Sequence, residues 1–90
     1  MTKLLKTGQA GTVESTDIFV AISPADPGTG VKIELVSPTM QQYGEHIINL
    51  ITKILTEQDI FDAVVHANEK GAMDYTIEAR VKTAIARAIV

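Results

Sequence analysis

The most regular pattern in the chain lies at Val31–Val36. Val31, Ile33 and Leu35 fall on one side and Lys32 and Glu34 on the other, as a half-buried strand requires. Before it, Ile18, Val20 and Ile22 alternate with Phe19, Ala21 and Ser23, which predicts a strand apolar on both faces. Gly8 to Val13 is small and β-compatible, and Met1 to Thr7 reads as a fraying end or an edge strand. Two polar stretches punctuate this half: Glu14-Ser15-Thr16-Asp17 as a turn, and Pro24 to Gly30 as a loop.

After Val36 the period changes. Ser37 suits an N-cap and Pro38 the first helical position, with Thr39 and Gln42 as an alternative capping pair. Met40, Tyr43, Ile47, Leu50, Ile51, Ile54 and Leu55 recur at helical spacing, predicting a helix to about Glu57. Ile60 to Ala67 reads as a strand and Asn68-Glu69-Lys70-Gly71 as a turn. Met73, Tyr75 and Ile77 alternate with Asp74, Thr76 and Glu78 like the second arm of a hairpin. From about Glu78, Val81, Ala84, Ile85, Ala88 and Ile89 share a helical face, with Arg80, Lys82 and Arg87 elsewhere. The expected order is β-β-α-β-β-α and the fold class α+β, a small antiparallel sheet with two helices packed on one face.

A chain of 90 residues is expected to be one domain, residues 1–90. With no Trp, two Tyr and two Phe, its core must be aliphatic. Eight basic against eleven acidic residues give a net charge of −3, which disfavours nucleic acid as a partner and suits basic protein surfaces. No apolar run is long enough for a bilayer and the N-terminus lacks signal-peptide features, so no membrane partner and a cytoplasmic location are expected. The absence of cysteine has the largest consequence: any thioester chemistry would need a sulfur borrowed from a cofactor.

Candidate chemistry is sparse. His46 and His66 have no partner at metal-ligand spacing on the same predicted element, so no metal site is expected. Glu14, Asp17, Asp59 and Asp62 read as solvated carboxylates at turns and strand ends, and no catalytic residue emerges. The glycines before Ser15 have neither the spacing nor the lysine of a phosphate-binding loop. Ser15 is distinguished by its setting, at a turn that would expose its hydroxyl, with small residues before it and acidic ones around it. On residue type alone it is a turn serine.

Ala10-Gly11-Thr12-Val13-Glu14-Ser15-Thr16-Asp17, followed by an apolar strand ending at Pro24, resembles the modification site of citrate lyase acyl carrier proteins. The likeness continues at Gln42-Tyr43-Gly44, at Lys70-Gly71-Ala72-Met73-Asp74, and at Ala79-Arg80-Val81 through Ala84-Ile85-Ala86-Arg87-Ala88, in the same order along essentially the whole chain. Two features depart from the pattern. Thr16 stands where members of that family commonly have glycine, and the chain stops soon after the last predicted helix, where some members carry a tail.

The resemblance implies that Ser15 is joined through a phosphodiester to 2'-(5''-phosphoribosyl)-3'-dephospho-CoA, making it an anchor and not a nucleophile in turnover. It implies a non-catalytic gamma subunit carrying acetyl and citryl thioesters. Its partners would be an alpha subunit acting as acyl transferase, a beta subunit acting as citryl lyase, and a transferase that attaches the prosthetic group. Gly11, Glu14 and Asp17 become candidate recognition residues: Gly11 for close approach, the two carboxylates as negative charge shown to the attaching enzyme. The carrier subunit of malonate decarboxylase is the nearest alternative, and a non-covalent regulatory α+β domain or an oligomerisation module stand further off. The helical carriers of fatty-acid synthesis do not fit, because Asp-Ser-Leu at a helix start is absent.

Overall fold

The structure, a computed structural model, describes residues 2–90; the part of the N-terminal reading that concerns Met1 lies outside them. Alternation along β2 (Ile18–Pro24) sends Ile18, Val20 and Ile22 into the core. The same period sends Ala63, Val65, Ala67 and Glu69 inward from β4 (Ala63–Glu69). Those two strands pair antiparallel, with Ile18 opposite Glu69 and Ile22 opposite Val65. A short β1 (Gly8–Ala10) pairs antiparallel with β2 on one side. On the other side of β4 lies β3 (Val31–Val36), giving the order β1-β2-β4-β3. Two helices, α1 (Met40–Glu57) and α2 (Asp74–Ala88), cover the inward face. α2 lies against β1 and β2, and α1 against β3 and α2.

The α+β class and the two-helix layer agree with the sequence; the strand arrangement differs in two respects. β3 runs parallel to β4, so the sheet is mixed. The intervening helix α1 is the reason: a crossover through a helix returns the chain in the direction it left, whereas a tight turn reverses it. The expected hairpin arm at Met73–Ile77 is also absent, and the order is β-β-β-α-β-α. With β2 and β3 on its two edges, β4 has no edge left for a hairpin partner. Instead Ile77, Val81, Ala84, Ile85 and Ala88 form a single buried helical stripe that begins at Ile77. The short alternation before it is the exposed first turn of α2.

The strand expected at Ile60–Ala67 starts three residues later and ends two later, at Ala63–Glu69. This shift puts Glu69 inside the protein at 2% exposure. Its carboxylate accepts a hydrogen bond from Ser37 Oγ at 2.7 Å and another from the Ala72 backbone N–H. Ser37 was expected to cap α1, yet the helix starts at Met40 and Thr39 occupies the cap position without a side-chain bond. The Ser37 hydroxyl instead accepts from Thr39 N at 3.1 Å while it donates to Glu69. One buried carboxylate thus ties together the chain entering both helices.

The N-terminal segment closes the other end. Leu4 is buried, and the Leu5 and Lys6 N–H groups donate to the Ala88 carbonyl at 2.8 and 3.2 Å, satisfying an acceptor at the end of α2. β1 approaches α2 so closely that a Cβ on Gly8 would lie 2.1 Å from the Ala84 carbonyl oxygen.

Two outcomes follow. Gly8→Ala should destabilise the protein by about 2 kcal/mol or more, because backbone meets backbone and neither can yield cheaply. Glu69→Ala should cost about 2 kcal/mol by leaving two half-buried donors without their acceptor, and Glu69→Gln distinctly less. Urea unfolding of the variants measures both.

Candidate functional site: the Ser15 turn

β1 and β2 do not meet in a tight hairpin. Between them the chain swings out through Gly11 to Asp17, and Ser15 sits exposed in a turn at its tip. Gly11 begins the excursion with φ +89°, and a Cβ there would fall 1.8 Å from the Ile18 carbonyl oxygen, so only glycine fits. The turn closes with Asp17 N–H donating to the Glu14 carbonyl at 3.2 Å. Thr16 N–H donates to Lys70 O at 2.7 Å and Lys70 N–H to Asp17 O at 2.9 Å, extending the β2–β4 ladder beneath the serine.

Asp17 holds this turn to the body of the protein. Its Oδ1 accepts from Ile18 N at 2.7 Å and Arg80 Nε at 3.1 Å. Its Oδ2 accepts from Thr12 Oγ1 at 2.8 Å and Arg80 Nη2 at 3.0 Å. Thr12 Oγ1 in turn accepts from Glu14 N at 3.2 Å. The Arg80 fork is bidentate, and the Asp17 side chain is only 15% exposed. Arg80, then Thr12 and the Ile18 amide, hold the Asp17 carboxyl at about 2, below its ordinary 3.8.

The structure therefore brings together Gly11, Glu14, Ser15 and Asp17, but gives them different situations. Asp17 is spent on Arg80 from α2, while Glu14 is exposed beside the serine. None of the side-chain hydrogen bonds around the turn uses Ser15 Oγ, and the residue is exposed. Thr16 adopts φ +66°, a left-handed conformation rare for β-branched residues and open to glycine without steric cost.

The remaining candidates lie elsewhere. His46 Nε2 is 2.9 Å from Asp74 Oδ2 and joins the two helices, and His66 Nδ1 stands 3.9 Å from Glu34 on the open sheet face. Asp62 Oδ1 accepts from Gly28 and Gly30 N–H at 3.0 and 2.9 Å and shapes the β2–β3 loop. Asp59 ends the turn after α1 at φ +59°. Among the described residues no cluster of His, Cys, Asp and Glu has the makeup of a metal site, and no helix is long and apolar enough to cross a membrane.

Sequence reasoning missed Arg80 and Glu69. No local signal links Arg80 to Asp17, 63 positions away. Glu69 carried one: it continues the alternation Ala63, Val65, Ala67 on the core face.

A carboxyl with a lowered folded-state pKa stabilises the protein above its unfolded value and loses that contribution as pH falls through the folded value. The turn should therefore loosen between about pH 4 and pH 2. The protection of the Thr16 and Lys70 amides from exchange, relative to an unfolded chain at the same pH, should fall over that window, and Arg80→Ala should weaken the dependence, since Thr12 and the Ile18 amide still act on Asp17. Thr16→Gly should stabilise the protein by about 1 kcal/mol in thermal unfolding, relieving the left-handed backbone.

Comparison with known proteins adds a family to this geometry. A family model described as the malonate decarboxylase delta subunit, MdcD, an ACP family, matches residues 5–88. A citrate lyase acyl carrier protein of Halothermothrix orenii is 35% identical over 86 residues, covering 96% of this chain and 89% of the relative. That of Streptococcus equi subsp. equi is 43% identical over 79 residues, covering 88% and 76%. Among solved structures, a chain of a Pseudomonas malonate decarboxylase hetero-tetramer in complex with malonate superposes with a TM-score of 0.71, covering 93% of this chain and 89% of that one. At 16% identity it speaks for the fold alone. Over nearly its whole length, the chain belongs to the acyl carrier family that takes in citrate lyase acyl carrier proteins and malonate decarboxylase delta subunits.

Proposed function

We propose that this chain is the acyl carrier subunit of a citrate lyase complex, with Ser15 as the attachment point of a phosphoribosyl-dephospho-CoA arm. The observation that carries the reading is the Ser15 turn: an exposed, unengaged hydroxyl at the tip of an excursion locked to α2 through Asp17 and Arg80. The names of the relatives point to citrate, and the chain's lack of cysteine fits a carrier whose sulfur comes from outside.

When attached, the arm supplies the thiol on which acyl groups ride. The protein's own residues do the mechanical work. Asp17 and Arg80 fix the base of the tether, and Gly11 lets the chain pass close over Ile18. A tether with a rigid base searches a smaller volume, which raises its effective concentration at the active sites it serves. Those sites belong, in this reading, to an acyl-transferring alpha subunit and a citryl-cleaving beta subunit, with this chain contributing no catalytic residue. Glu14, exposed beside Ser15, is the carboxylate placed to meet the enzyme that attaches the arm. The same reading puts the protein in the cytoplasm.

The malonate decarboxylase carrier is the second reading, favoured by the family model and the structural neighbour. Reconstitution separates the two. Loaded wild-type chain added to citrate lyase alpha and beta subunits should restore cleavage of citrate, and Ser15→Ala, folded by circular dichroism, should not. Failure there, with malonate decarboxylation restored when the chain is added to the other malonate decarboxylase subunits, would transfer the assignment to that system, and activity retained by Ser15→Ala would remove the serine from the account.

A further inference from the structure

Ser15 lies at one end of the sheet, and that end holds a second feature that the attachment site does not use. Ile18 opens β2 opposite Glu69, which closes β4, and Val36 closes β3 opposite Asn68. Both helices start just beyond these strand ends, so their first turns and the Ser15 turn share one pole of the molecule. Between the first turns of α1 and α2 lies an open cleft of about 520 Å³. Tyr43, Met73 and Tyr75 line it, over Ile47 and Ile77, with His46 at its edge.

The cleft is unusual for what it leaves uncovered. Tyr43 is 57% exposed, Met73 63% and Tyr75 74%, a cluster of large apolar side chains at a single place on a mildly acidic protein. Tyr43 and Met73 belong to the stretches that carry the family resemblance, and the cleft they line does not include Ser15. The route from the serine to the cleft is short. Thr16 and Asp17 are hydrogen-bonded to Lys70, and its chain neighbours Glu69 and Gly71 line the cleft. With about 3.8 Å between successive Cα atoms and about 5.5 Å across a paired position, Ser15 is within roughly 13 Å of Gly71.

We infer that this cleft receives the adenine base of the arm, with the base stacked against Tyr75 or Tyr43. The inference rests on Ser15 carrying that arm. In phosphoribosyl-dephospho-CoA the adenosine is the proximal part, one phosphate and two pentoses from the serine, and adenine is its only aromatic group. Tyrosine rings and a methionine thioether offer a purine flat, polarisable contact, and Thr39 and His46 add polar groups to the lining. The distal pantetheine is a poorer occupant, because a thiol parked on its own carrier is withheld from the subunits it serves. Seating only the base shortens the free tether and leaves the thiol mobile.

The chain's composition supplies the readout. Tyr43 and Tyr75 are its only tyrosines and it has no Trp, so intrinsic emission reports on this cleft alone. Full-length chain is prepared bare and loaded, with peptide mass confirming the arm on Ser15. The loaded form should show quenched tyrosine emission and NMR cross-peaks from adenine H2 or H8 to a tyrosine ring. Bare chain titrated with 3'-dephospho-CoA should bind about tenfold more weakly after Tyr75→Ala, the loss of one stacked base. Tyr75 is too exposed for its truncation to unfold the protein. Confirmed loading with unchanged emission and no such cross-peaks overturns the inference while leaving Ser15 as the anchor. Cross-peaks from the pantetheine methyl groups in place of the purine also overturn it. A bare serine in an active complex removes the anchor itself, and the inference falls with it.

Discussion

The site depends on one carboxylate. Asp17 accepts from Thr12, from the Ile18 amide and twice from Arg80, and so binds the outward excursion, the start of β2 and the middle of α2 into one piece. Without those bonds the seven residues from Gly11 to Asp17 would be a loop kept in place mainly by the backbone bonds to Lys70. An exposed ion pair contributes little to stability, but this one is bidentate and its carboxylate is largely shielded, with the Arg80 side chain half exposed. Its value is positional: it ties the turn that presents the Ser15 hydroxyl to the body of the protein.

Topology determines what surrounds that mount. Because β4 enters between β2 and β3, and because α1 carries the chain back so that β3 and β4 run parallel, the starts of both helices come to the end of the sheet that holds Ser15. Glu69 sits beneath this pole and satisfies donors from the segments leading into α1 and α2. The buried carboxylate and the clamped turn are adjacent in the same ladder, since Glu69 pairs with Ile18 and Lys70 with Asp17.

What the sequence makes legible is what depends on near neighbours. The alternation in β2 and β3, the long stripe of α1 and the polar turn at Ser15 all have periods short enough to read along the chain. Met73, Tyr75 and Ile77 misled because three alternating positions fit a strand and a first helical turn equally well. Only the occupied edges of β4 decide between them. Arg80 was invisible for a related reason: its partner is across the fold, and an arginine on a polar helix face has no local mark of being engaged. Thr16 was noticed as a departure from glycine, and the structure shows a threonine holding the left-handed backbone that glycine adopts at lower cost.

The central claim is that Ser15, and no other hydroxyl, bears the arm. Peptide mapping by mass, after co-expression with the transferase that attaches the prosthetic group, tests it most directly. The account predicts an added mass equal to phosphoribosyl-dephospho-CoA, localised by fragmentation to Ser15, with Ser23 of the same tryptic peptide and Ser37 unmodified. The same addition on another residue, or its absence from chain isolated within an active complex, would contradict it.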